Sequence, residues 1–316
     1  MRFQSRLEDL IIEGGRIRGA VVNGERIETD AVFLATGHSA RDVFRMLNRR
    51  GVALEARPFA VGARAEHPQI LINRSQRGTE TPESGPADYM MAYNDEKRGR
   101  SAYTFCMCPG GEVVAAGTEE DGLTVNGMSY SHRADRFGNS AVVATVTPCD
   151  FGGEGPLAGI EFQRRLEVLA FRAGGGGHVA PAQRIPDFLA GRASSGEFET
   201  SYRRGVRGAD LTGLLPAQVV AVMRRGIRSF GRLVNGFDGP WGVLIGLETR
   251  TSSPIRVLRD PVSYESVNVA GLYPLGEGAG YAGGITSSAS DGLRAVERVA
   301  ETAGKKKDGA PVGAVS

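Results

Sequence analysis

The sequence predicts an α/β or α+β protein built in two parts. Short strands joined by glycine turns fill the first 37 residues, two long helices interrupt a strand-rich middle, and a late strand, glycine loop and helix follow. Hydrophobic residues make up 41% and charged residues 23% of the 316 residues. These proportions are typical of a folded globular chain and exclude a disordered or collagen-like one.

The first 37 residues are predicted to form a β-meander. Gly14-Gly15 and Asn23-Gly24 separate apolar runs, and Asn-Gly between such runs is a strong hairpin signal. The strands are expected at residues 3–12, 17–22, 26–27 and 31–35. The fourth strand is nearly all apolar, which predicts that both of its faces are covered.

A helix is predicted directly after the fourth strand. That strand ends at Thr36-Gly37, and Ser39 is the expected N-cap of a helix over residues 40–50. Gly51 is expected to end this helix, because glycine readily adopts the left-handed backbone found after helix C-termini.

The middle of the chain, from Pro58 to Val269, is predicted to contain short strands and long loops with two helices. The first helix covers residues 157–173 and stops at a run of four glycines. The second covers residues 215–234, where apolar side chains recur at spacings of three and four and form one stripe: Val219, Met223, Ile227, Phe230 and Val234. The other side of this helix carries Arg224, Arg225, Arg228 and Arg232. This side is interpreted either as a phosphate-attracting face or as a solvated one.

Charge and cysteine content exclude several classes of protein. Lys and Arg number 38 against 36 Asp and Glu, so the net charge gives no argument for a nucleic-acid partner. No segment approaches the apolar run of about 18 residues that spans a membrane, and the first ten residues lack the apolar stretch of a secretory signal. Three cysteines, an odd number, do not make a disulfide framework. We expect a cytoplasmic protein with neither a membrane nor a nucleic-acid partner, and the oligomeric state stays open.

A glycine loop precedes the last predicted helix, over residues 285–303. Gly278, Gly280 and Gly283 have GxGxxG spacing, but the second strand and acidic residue of a dinucleotide-binding unit do not follow. Glycines let a backbone approach a ligand closely, and free amides at the start of a helix favour an anion or an electron-rich carbonyl. The alternative is tight packing of helix against sheet without a ligand.

Several motifs resemble those of flavoproteins with the glutathione-reductase-type FAD fold. In those proteins, an apolar strand ending in Ala35-Thr36-Gly37 and a late segment like GLYPLGEGAGYAGGI both belong to the FAD domain. More narrowly, residues 3–302 are similar to uncharacterised bacterial FAD-dependent dehydrogenases, also labelled NAD(P)/FAD-dependent oxidoreductases. The motifs that carry this similarity are TGHSARD, PFAVGARAEHPQ, FCMCPGG, NGMS, ETRTSSPIR and GEGAGYAGGI.

The resemblance implies FAD as cofactor, NAD(P)H as a candidate electron donor, and a small-molecule substrate for which an anion is one option. It implies that the early and late turns fold together and contact FAD through Thr36, Gly37, Gly276, Glu277, Gly278, Gly280, Gly283, Gly284 and Ile285. Glu277 and its neighbours would meet the ribityl and pyrophosphate region. Gly283, Gly284 and Ile285 would direct backbone amides at the flavin.

The resemblance also implies a domain organisation. Residues 1–50 and 268–303 would be the remnant of a split, Rossmann-like FAD-binding domain, residues 51–267 an inserted substrate domain with a mixed β-sheet, and residues 304–316 a disordered tail. Family members place a GxGxxG βαβ unit before the meander, where this sequence begins. The chain is therefore expected to be the carboxy-terminal portion of a longer flavoprotein, which leaves the adenosine half of FAD without a binding unit.

Cys106 and Cys108 are predicted to lie on one strand. In a regular strand they would share a face about 6.6 Å apart, near the upper limit for a disulfide, so no unstrained disulfide is expected. With Cys149 and the four histidines they show no recognised zinc spacing, and no metal site is predicted. The two thiols are interpreted either as inert and buried or as redox-active groups that face a flavin.

Two histidines are further candidates. His38 follows the early turn, and His67 stands in Glu66-His67-Pro68. Each is interpreted either as a proton donor beside a flavin or as a histidine that hydrogen-bonds a nearby loop.

Arginines supply the remaining candidates. Arg250 is the expected substrate contact, because a guanidinium beside Arg256 and Arg259 would grip a carboxylate or a phosphate. Arg64 and Glu66 are interpreted as an ordinary ion pair.

These observations predict a cytoplasmic FAD-dependent oxidoreductase, a dehydrogenase or reductase, with His38, Cys106 and Arg250 as catalytic candidates. One alternative is an incomplete, non-catalytic domain that cannot hold FAD without an amino-terminal segment. A second alternative is an anion-binding module, against which the low net charge argues.

Overall fold

The computed structural model describes residues 1–308 of the chain, with side chains up to residue 301. This part is a mixed α/β structure with six α-helices and sixteen strands, which confirms the predicted fold class. The chain divides into two compact units. The smaller consists of residues 1–57, residues 153–160 and the chain from Ser252 on, and the larger of residues 58–152 and 161–251.

The smaller unit begins with a three-stranded antiparallel meander. Its strands are β1 (Leu7–Glu13), β2 (Arg16–Val22) and β3 (Glu25–Glu28). Gly14-Gly15 and Asn23-Gly24 all have positive φ, the backbone that two-residue type I′ hairpin turns require. The prediction from the turn residues is confirmed for these three strands.

The fourth predicted strand leaves the meander. It is β4 (Val32–Leu34), which pairs in parallel with β16 (Leu272–Pro274) in a two-stranded sheet. The expectation that both faces of β4 are covered is wrong, because alternate residues point to opposite faces and one face is open. Leu34 is buried, whereas Phe33 is 41% exposed and stacks on Tyr273, with 4.9 Å between ring centroids.

Two helices and two strands complete the smaller unit: α1 (Arg41–Arg49), β5 (Leu54–Ala56), β15 (Ile255–Val257) and α6 (Ile285–Asp308). Strand β15 pairs with β5 in the antiparallel sense. Ala40 and not Ser39 occupies the cap position of α1, because the carbonyl of Ser39 closes a turn with the N–H of Arg41. Buried apolar side chains form one core, which includes Leu10, Ile17, Leu34, Phe44, Leu47, Ile255 and Leu272.

Helix α6 extends five residues beyond its predicted end. Residues 304–308 are therefore helical and not part of a tail. The rest of the predicted tail, residues 309–316, lies outside the described residues.

A seven-stranded mixed sheet organises the larger unit. In spatial order its strands are β13 (Val206–Gly208), β12 (Ala180–Arg184), β14 (Val243–Glu248), β6 (Phe59–Pro68), β11 (Phe137–Val146), β8 (Arg100–Cys108) and β7 (Ala92–Asp95). Neighbouring strands are antiparallel except β12 and β13. The predicted mixed sheet is confirmed. The expectation of short strands is wrong for the central β6 and β11, where buried polar residues such as Arg64 and Asn139 interrupt the apolar pattern.

Four helices and a strand pair accompany this sheet: α2 (Gln69–Arg77), α3 (Ala158–Gly174), α4 (Ile185–Ala190), α5 (Ala217–Phe230), β9 (Glu112–Ala115) and β10 (Val125–Met128). Helices α3 and α5 confirm the two predicted ones, except that α5 ends at Phe230, four residues before its predicted end. The short α2 and α4 were not predicted. The five residues of the predicted apolar stripe are all buried. On the other side of α5, Arg225 pairs with Asp95 and Arg224 donates to the carbonyl of Phe188, so these arginines do not form one continuous anion-binding face. Within residues 1–308, no helix is long and apolar enough to cross a membrane.

Candidate functional site

The early and late glycine turns lie side by side in the smaller unit. Strands β4 and β16 are parallel, and the Leu275 N–H donates to the carbonyl oxygen of Leu34 at 2.9 Å. Thr36-Gly37 and Gly276–Gly278 therefore follow the carboxyl ends of neighbouring strands, where open α/β sheets bind ligands. The prediction that these two turns fold together is confirmed.

Packing and backbone conformation account for several of the glycines. Gly37, Gly276 and Gly280 have positive φ, a region that favours glycine. A Cβ at Gly278 would lie 2.6 Å from the carbonyl oxygen of Gly37, and one at Gly280 would lie 2.6 Å from the carbonyl oxygen of Ile255. For these positions, tight packing alone requires glycine.

Packing does not account for Gly283. This residue is exposed, its φ lies outside the left-handed region, and a Cβ built on it meets no atom within 4 Å. A Cβ at Gly284 would find only the Ser287 hydroxyl, at 3.8 Å. Open space therefore adjoins this backbone, and a ligand that approaches it closely would itself require glycine.

The first turn of α6 adjoins the same open space. Ile285 is 93% exposed, and Thr286 and Ser287 are also exposed. The first amides of a helix lack partners within the helix and carry the positive end of its dipole. This turn therefore suits a phosphate or an electron-rich carbonyl oxygen.

His38 and Glu277 join the two turns. Nδ1 of His38 lies 3.2 Å from Oε1 of Glu277, and the two side chains are 21% and 24% exposed. A carboxylate at Nδ1 fixes the orientation of the imidazole and favours a proton on that nitrogen. Two of the residues singled out from the sequence are thus in direct contact. This contact agrees with one of the two interpretations of His38, that of a histidine that hydrogen-bonds a nearby loop.

A network that the sequence did not indicate fixes the late turn to α6. Asp291 accepts hydrogen bonds from the Gly276 N–H at 2.8 Å and from Arg259, whose two nitrogens lie 2.6 and 2.9 Å from the carboxylate oxygens. The Arg259 guanidinium also lies 3.8 Å from the ring centroid of Tyr281. Burial alone would raise the pKa of Asp291, but the hydrogen bonds from Arg259 and Gly276 lower it. No local motif marks Asp291, because these partners are 32 and 15 residues away.

Arg250, the expected substrate contact, is buried in the larger unit. Its Nε and Nη2 donate to the two carboxylate oxygens of Glu167 at 2.9 and 3.0 Å, and Nη1 donates to the hydroxyl of Thr118 at 2.9 Å. A carboxylate of the protein therefore occupies the guanidinium fork that was expected to bind a substrate. This geometry favours a structural role for Arg250.

Arg64 and Glu66 do not form the expected ion pair. Arg64 donates to both oxygens of Glu248 at 3.2 and 3.0 Å, while the carboxylate of Glu66 accepts from the backbone and hydroxyl of Ser201. Residues two positions apart along a strand are more distant than residues on adjacent strands, so each side chain finds its partner elsewhere. Burial raises the pKa of Glu66.

The two neighbouring cysteines differ in accessibility. Cys106 is exposed and Cys108 is buried, so the expectation that both thiols are buried holds only for Cys108. Among the described residues, no three His, Cys, Asp or Glu side chains come together to hold a metal ion.

His67 lies deep in the larger unit. Its Nε2 donates to the carbonyl oxygen of Phe237 at 2.8 Å, and the two ring centroids are 4.4 Å apart. Burial lowers the pKa of His67 to about 4. This neutral, fully buried ring bonds a loop carbonyl, and the geometry favours that role over proton donation.

A cavity of about 970 Å³ opens in the larger unit. Its volume lies in the range of small-molecule sites. Aromatic and cationic side chains stand together in its wall, among them Arg74, His132, Arg133, Arg136 and Trp241. Arg74 pairs with Glu80 and Arg136 with Glu199, so carboxylates offset part of this positive charge. The sequence did not indicate the cavity, because distant segments build it.

The chain matches a known family. The family described as "FAD-dependent protein, C-terminal domain-like" matches residues 58–251, which are also the outer bounds of the larger unit. In addition, the chain is 47% identical over 305 residues to an uncharacterised protein of Clostridium beijerinckii. The match covers 95% of this chain and 57% of that protein, so the chain spans less than two thirds of the relative's length.

Proposed function

We propose that this chain, which belongs to the family of FAD-dependent proteins with this C-terminal domain, supports the flavin of an oxidoreductase and binds its small-molecule substrate. The family supports a relation to FAD. Because the match covers only 57% of the relative, the proposal is that the chain acts as a portion of a longer flavoprotein.

The observation that carries this proposal is the open backbone at Gly283. Glycine is required at Gly278 and Gly280 by the chain itself, whereas at Gly283 only open space surrounds the backbone. Exposed residues in the first turn of α6 adjoin that space. These residues fit a flat, electron-rich ring that lies against the backbone with its carbonyl oxygens toward the helix.

Each part of the two turns has an assigned role. Backbone amides of Gly283, Gly284 and Ile285 would hold the flavin, which would supply hydride or electron transfer when bound. Glu277 and the turn around it would hold the ribityl and pyrophosphate region. His38, held by Glu277 through Nδ1, would present Nε2 as a proton donor beside the flavin.

The substrate domain is assigned to the larger unit. Its cavity of about 970 Å³ has Trp241 in the wall and three arginines balanced by Glu80, Asp135 and Glu199, which suits a polar small molecule with a flat or apolar part. NAD(P)H, which the resemblance to NAD(P)/FAD-dependent oxidoreductases implies, is the proposed electron donor. Cys106, Cys108 and Cys149 are all free thiols, which supports a reducing, cytoplasmic setting.

A second candidate function follows from the relative's length. In this candidate the chain alone holds no flavin, and FAD binds only when the chain is joined to a further segment. The observation that favours it is that the match covers only 57% of the relative.

Flavin titration tests both candidates. The purified chain is titrated with FAD, and binding is followed by the change in flavin fluorescence. Gly283→Val is the test variant, and Gly213→Val is the matched control, because Gly213 also has open surroundings without a positive φ. An overlap of one valine side chain with the ligand is expected to weaken FAD binding about tenfold or more.

The outcomes separate the candidates. Weak binding by Gly283→Val with normal binding by Gly213→Val supports the proposed site, and equal binding by both variants rules it out. Binding only by a fusion of the chain to the uncovered part of the Clostridium beijerinckii relative supports the second candidate. Absence of binding by chain and fusion alike contradicts both.

A further inference from the structure

Cys106 and Cys108 do not lie in a regular strand. Phe105 and Cys108 are three residues apart on β8 but face residues of β11 that are only two apart, which defines a β-bulge. Cys106 stands in this bulge with a φ of 47°, a conformation that few residues other than glycine adopt. Such outliers persist only where the surrounding structure imposes them.

Because of this bulge, the expectation that Cys106 and Cys108 form no unstrained disulfide loses its basis. That expectation used the spacing of about 6.6 Å in a regular strand, whereas a bulge bends the strand and turns a side chain to a new direction. The thiol of Cys108 donates to the carbonyl oxygen of Cys106 at 3.5 Å. The sulfur of Cys108 thus lies next to the backbone of Cys106.

Arg64 connects the two cysteines electrostatically. Its Nη2 donates to the carbonyl oxygen of Cys106 and lies 3.2 Å from Sγ of Cys108. The interaction between the two cysteine side chains lowers the pKa of Cys106 to about 6, which outweighs partial burial and is reinforced by the charge of Arg64. The same side-chain interaction and burial raise the pKa of Cys108, and the nearby carboxylate of Glu248 acts in the same direction. One thiol is therefore ionised at neutral pH and the other is protonated.

The two thiols also differ in access. Cys106 is exposed, while Cys108 is 7% exposed. Cys108 contributes to the wall of a groove of about 630 Å³ that also includes Met107, Pro109, Tyr130 and Arg133. An accessible thiolate with a protonated thiol behind it is the arrangement of an attacking and a resolving cysteine.

We infer that Cys106 and Cys108 form a redox-active dithiol that reduces low-molecular-weight disulfides. The Cys106 thiolate attacks one sulfur of a disulfide R–S–S–R, the S–S bond breaks, and one thiolate leaves and takes up a proton. Cys108 then releases its proton to solvent, and its sulfur attacks the sulfur of Cys106, which expels the second thiolate. This thiolate takes up a proton from solvent. The protein loses two electrons and gains one disulfide, and the small disulfide gains two electrons and yields two thiols. This inference does not rest on bound flavin.

Glutathione disulfide is the probe. The full chain is incubated with it at neutral pH, remaining thiols are alkylated with iodoacetamide, and the products are identified by mass spectrometry. We expect a disulfide between Cys106 and Cys108, release of both glutathione halves, and alkylation of Cys149 alone. A Cys149→Ser variant serves as the matched control and is expected to form the same disulfide and to carry no alkyl group.

Two variants distinguish the roles of the thiols. Cys108→Ala removes the resolving thiol, so one glutathione is expected to remain on Cys106. Cys106→Ala leaves the buried Cys108, which is expected to stay unmodified. Circular dichroism checks that each variant is folded, and Cys108→Ser repeats the first test if Cys108→Ala is not.

The rate of alkylation gives a separate readout. At pH 6 about half of Cys106 is thiolate against roughly 0.3% of an ordinary thiol, and the lower nucleophilicity of an acidic thiolate offsets part of this advantage. Alkylation of Cys106 is therefore expected to be about tenfold faster than that of free glutathione. Wild-type chain that retains glutathione on Cys106, or a Cys106 no faster than glutathione, would overturn the inference.

Discussion

Replacing Gly278 and Gly283 by alanine separates glycines that the fold needs from a glycine that a ligand needs. Both residues belong to the same turn and the same GxGxxG spacing. An added Cβ at Gly278 lies 2.6 Å from the carbonyl oxygen and 2.7 Å from the carbonyl carbon of Gly37, whereas at Gly283 it meets nothing within 4 Å. The same one-carbon change is therefore expected to have opposite effects.

The expected magnitude follows from these distances. The atoms of Gly37 are backbone and cannot rotate away, so the turn itself must shift, at a cost of about 1–3 kcal/mol for overpacking. Alanine also lowers the conformational entropy of the unfolded chain, which stabilises the folded state by about 0.4–1 kcal/mol at both positions. Gly278→Ala should lose roughly 1–2 kcal/mol of local stability, about tenfold in the opening equilibrium, while Gly283→Ala should be neutral or slightly stabilising.

Native-state hydrogen exchange measured by mass spectrometry provides the assay. Peptides that cover β4 with the early turn and β16 with the late turn report on this pairing alone. Exchange in these peptides should become about tenfold faster in Gly278→Ala and should not change in Gly283→Ala. Equal protection in the two variants, or a loss confined to Gly283→Ala, would refute the argument from packing.

Two further predictions concern buried charge in the larger unit. Because burial lowers the pKa of His67 to about 4, its contribution of about 3 kcal/mol is present above pH 6.5 and is lost as the pH falls toward 4. The pH dependence of the free energy of unfolding, measured by urea denaturation across that range, should show that His67→Gln takes up about one proton fewer on unfolding than the wild-type chain. The same pH dependence in both would contradict the assignment. Arg250→Met should cost about 3–5 kcal/mol, because Glu167 keeps a buried charge without its partner, and adding Glu167→Gln should restore most of it. Loss of substrate binding with unchanged denaturation would instead support Arg250 as a substrate contact.

Local signals explain why the smaller unit was predictable. The turn residues Gly14-Gly15 and Asn23-Gly24 specify their own backbone conformation, so the meander follows from a few adjacent positions. Gly37 and Gly276 adopt the left-handed backbone for the same reason. The parallel pairing of β4 with β16 was expected from the resemblance to flavoproteins, since no local signal links segments more than 200 residues apart.

The larger unit was less predictable because its central strands contain polar residues. Arg64, Glu66 and His67 lie on β6, where they interrupt the apolar pattern that marks a buried strand. Each is stabilised by a group that the chain brings from afar: Glu248, Ser201 and the carbonyl of Phe237, at separations of 184, 135 and 170 residues. Such long-range contacts leave no periodic trace in the sequence.

Two buried arginine–glutamate pairs in the larger unit illustrate how similar residues acquire different chemistry. Arg250 uses its fork on Glu167 and its remaining nitrogen on Thr118, so its hydrogen-bonding capacity stays within the protein frame. Arg64 contacts Glu248 through one nitrogen only and directs another at the sulfur of Cys108. A buried ion pair offsets its desolvation through good geometry and additional hydrogen bonds. The first pair therefore serves the protein frame alone, whereas Arg64 of the second pair also places its positive charge beside the sulfur of Cys108, a member of the proposed dithiol.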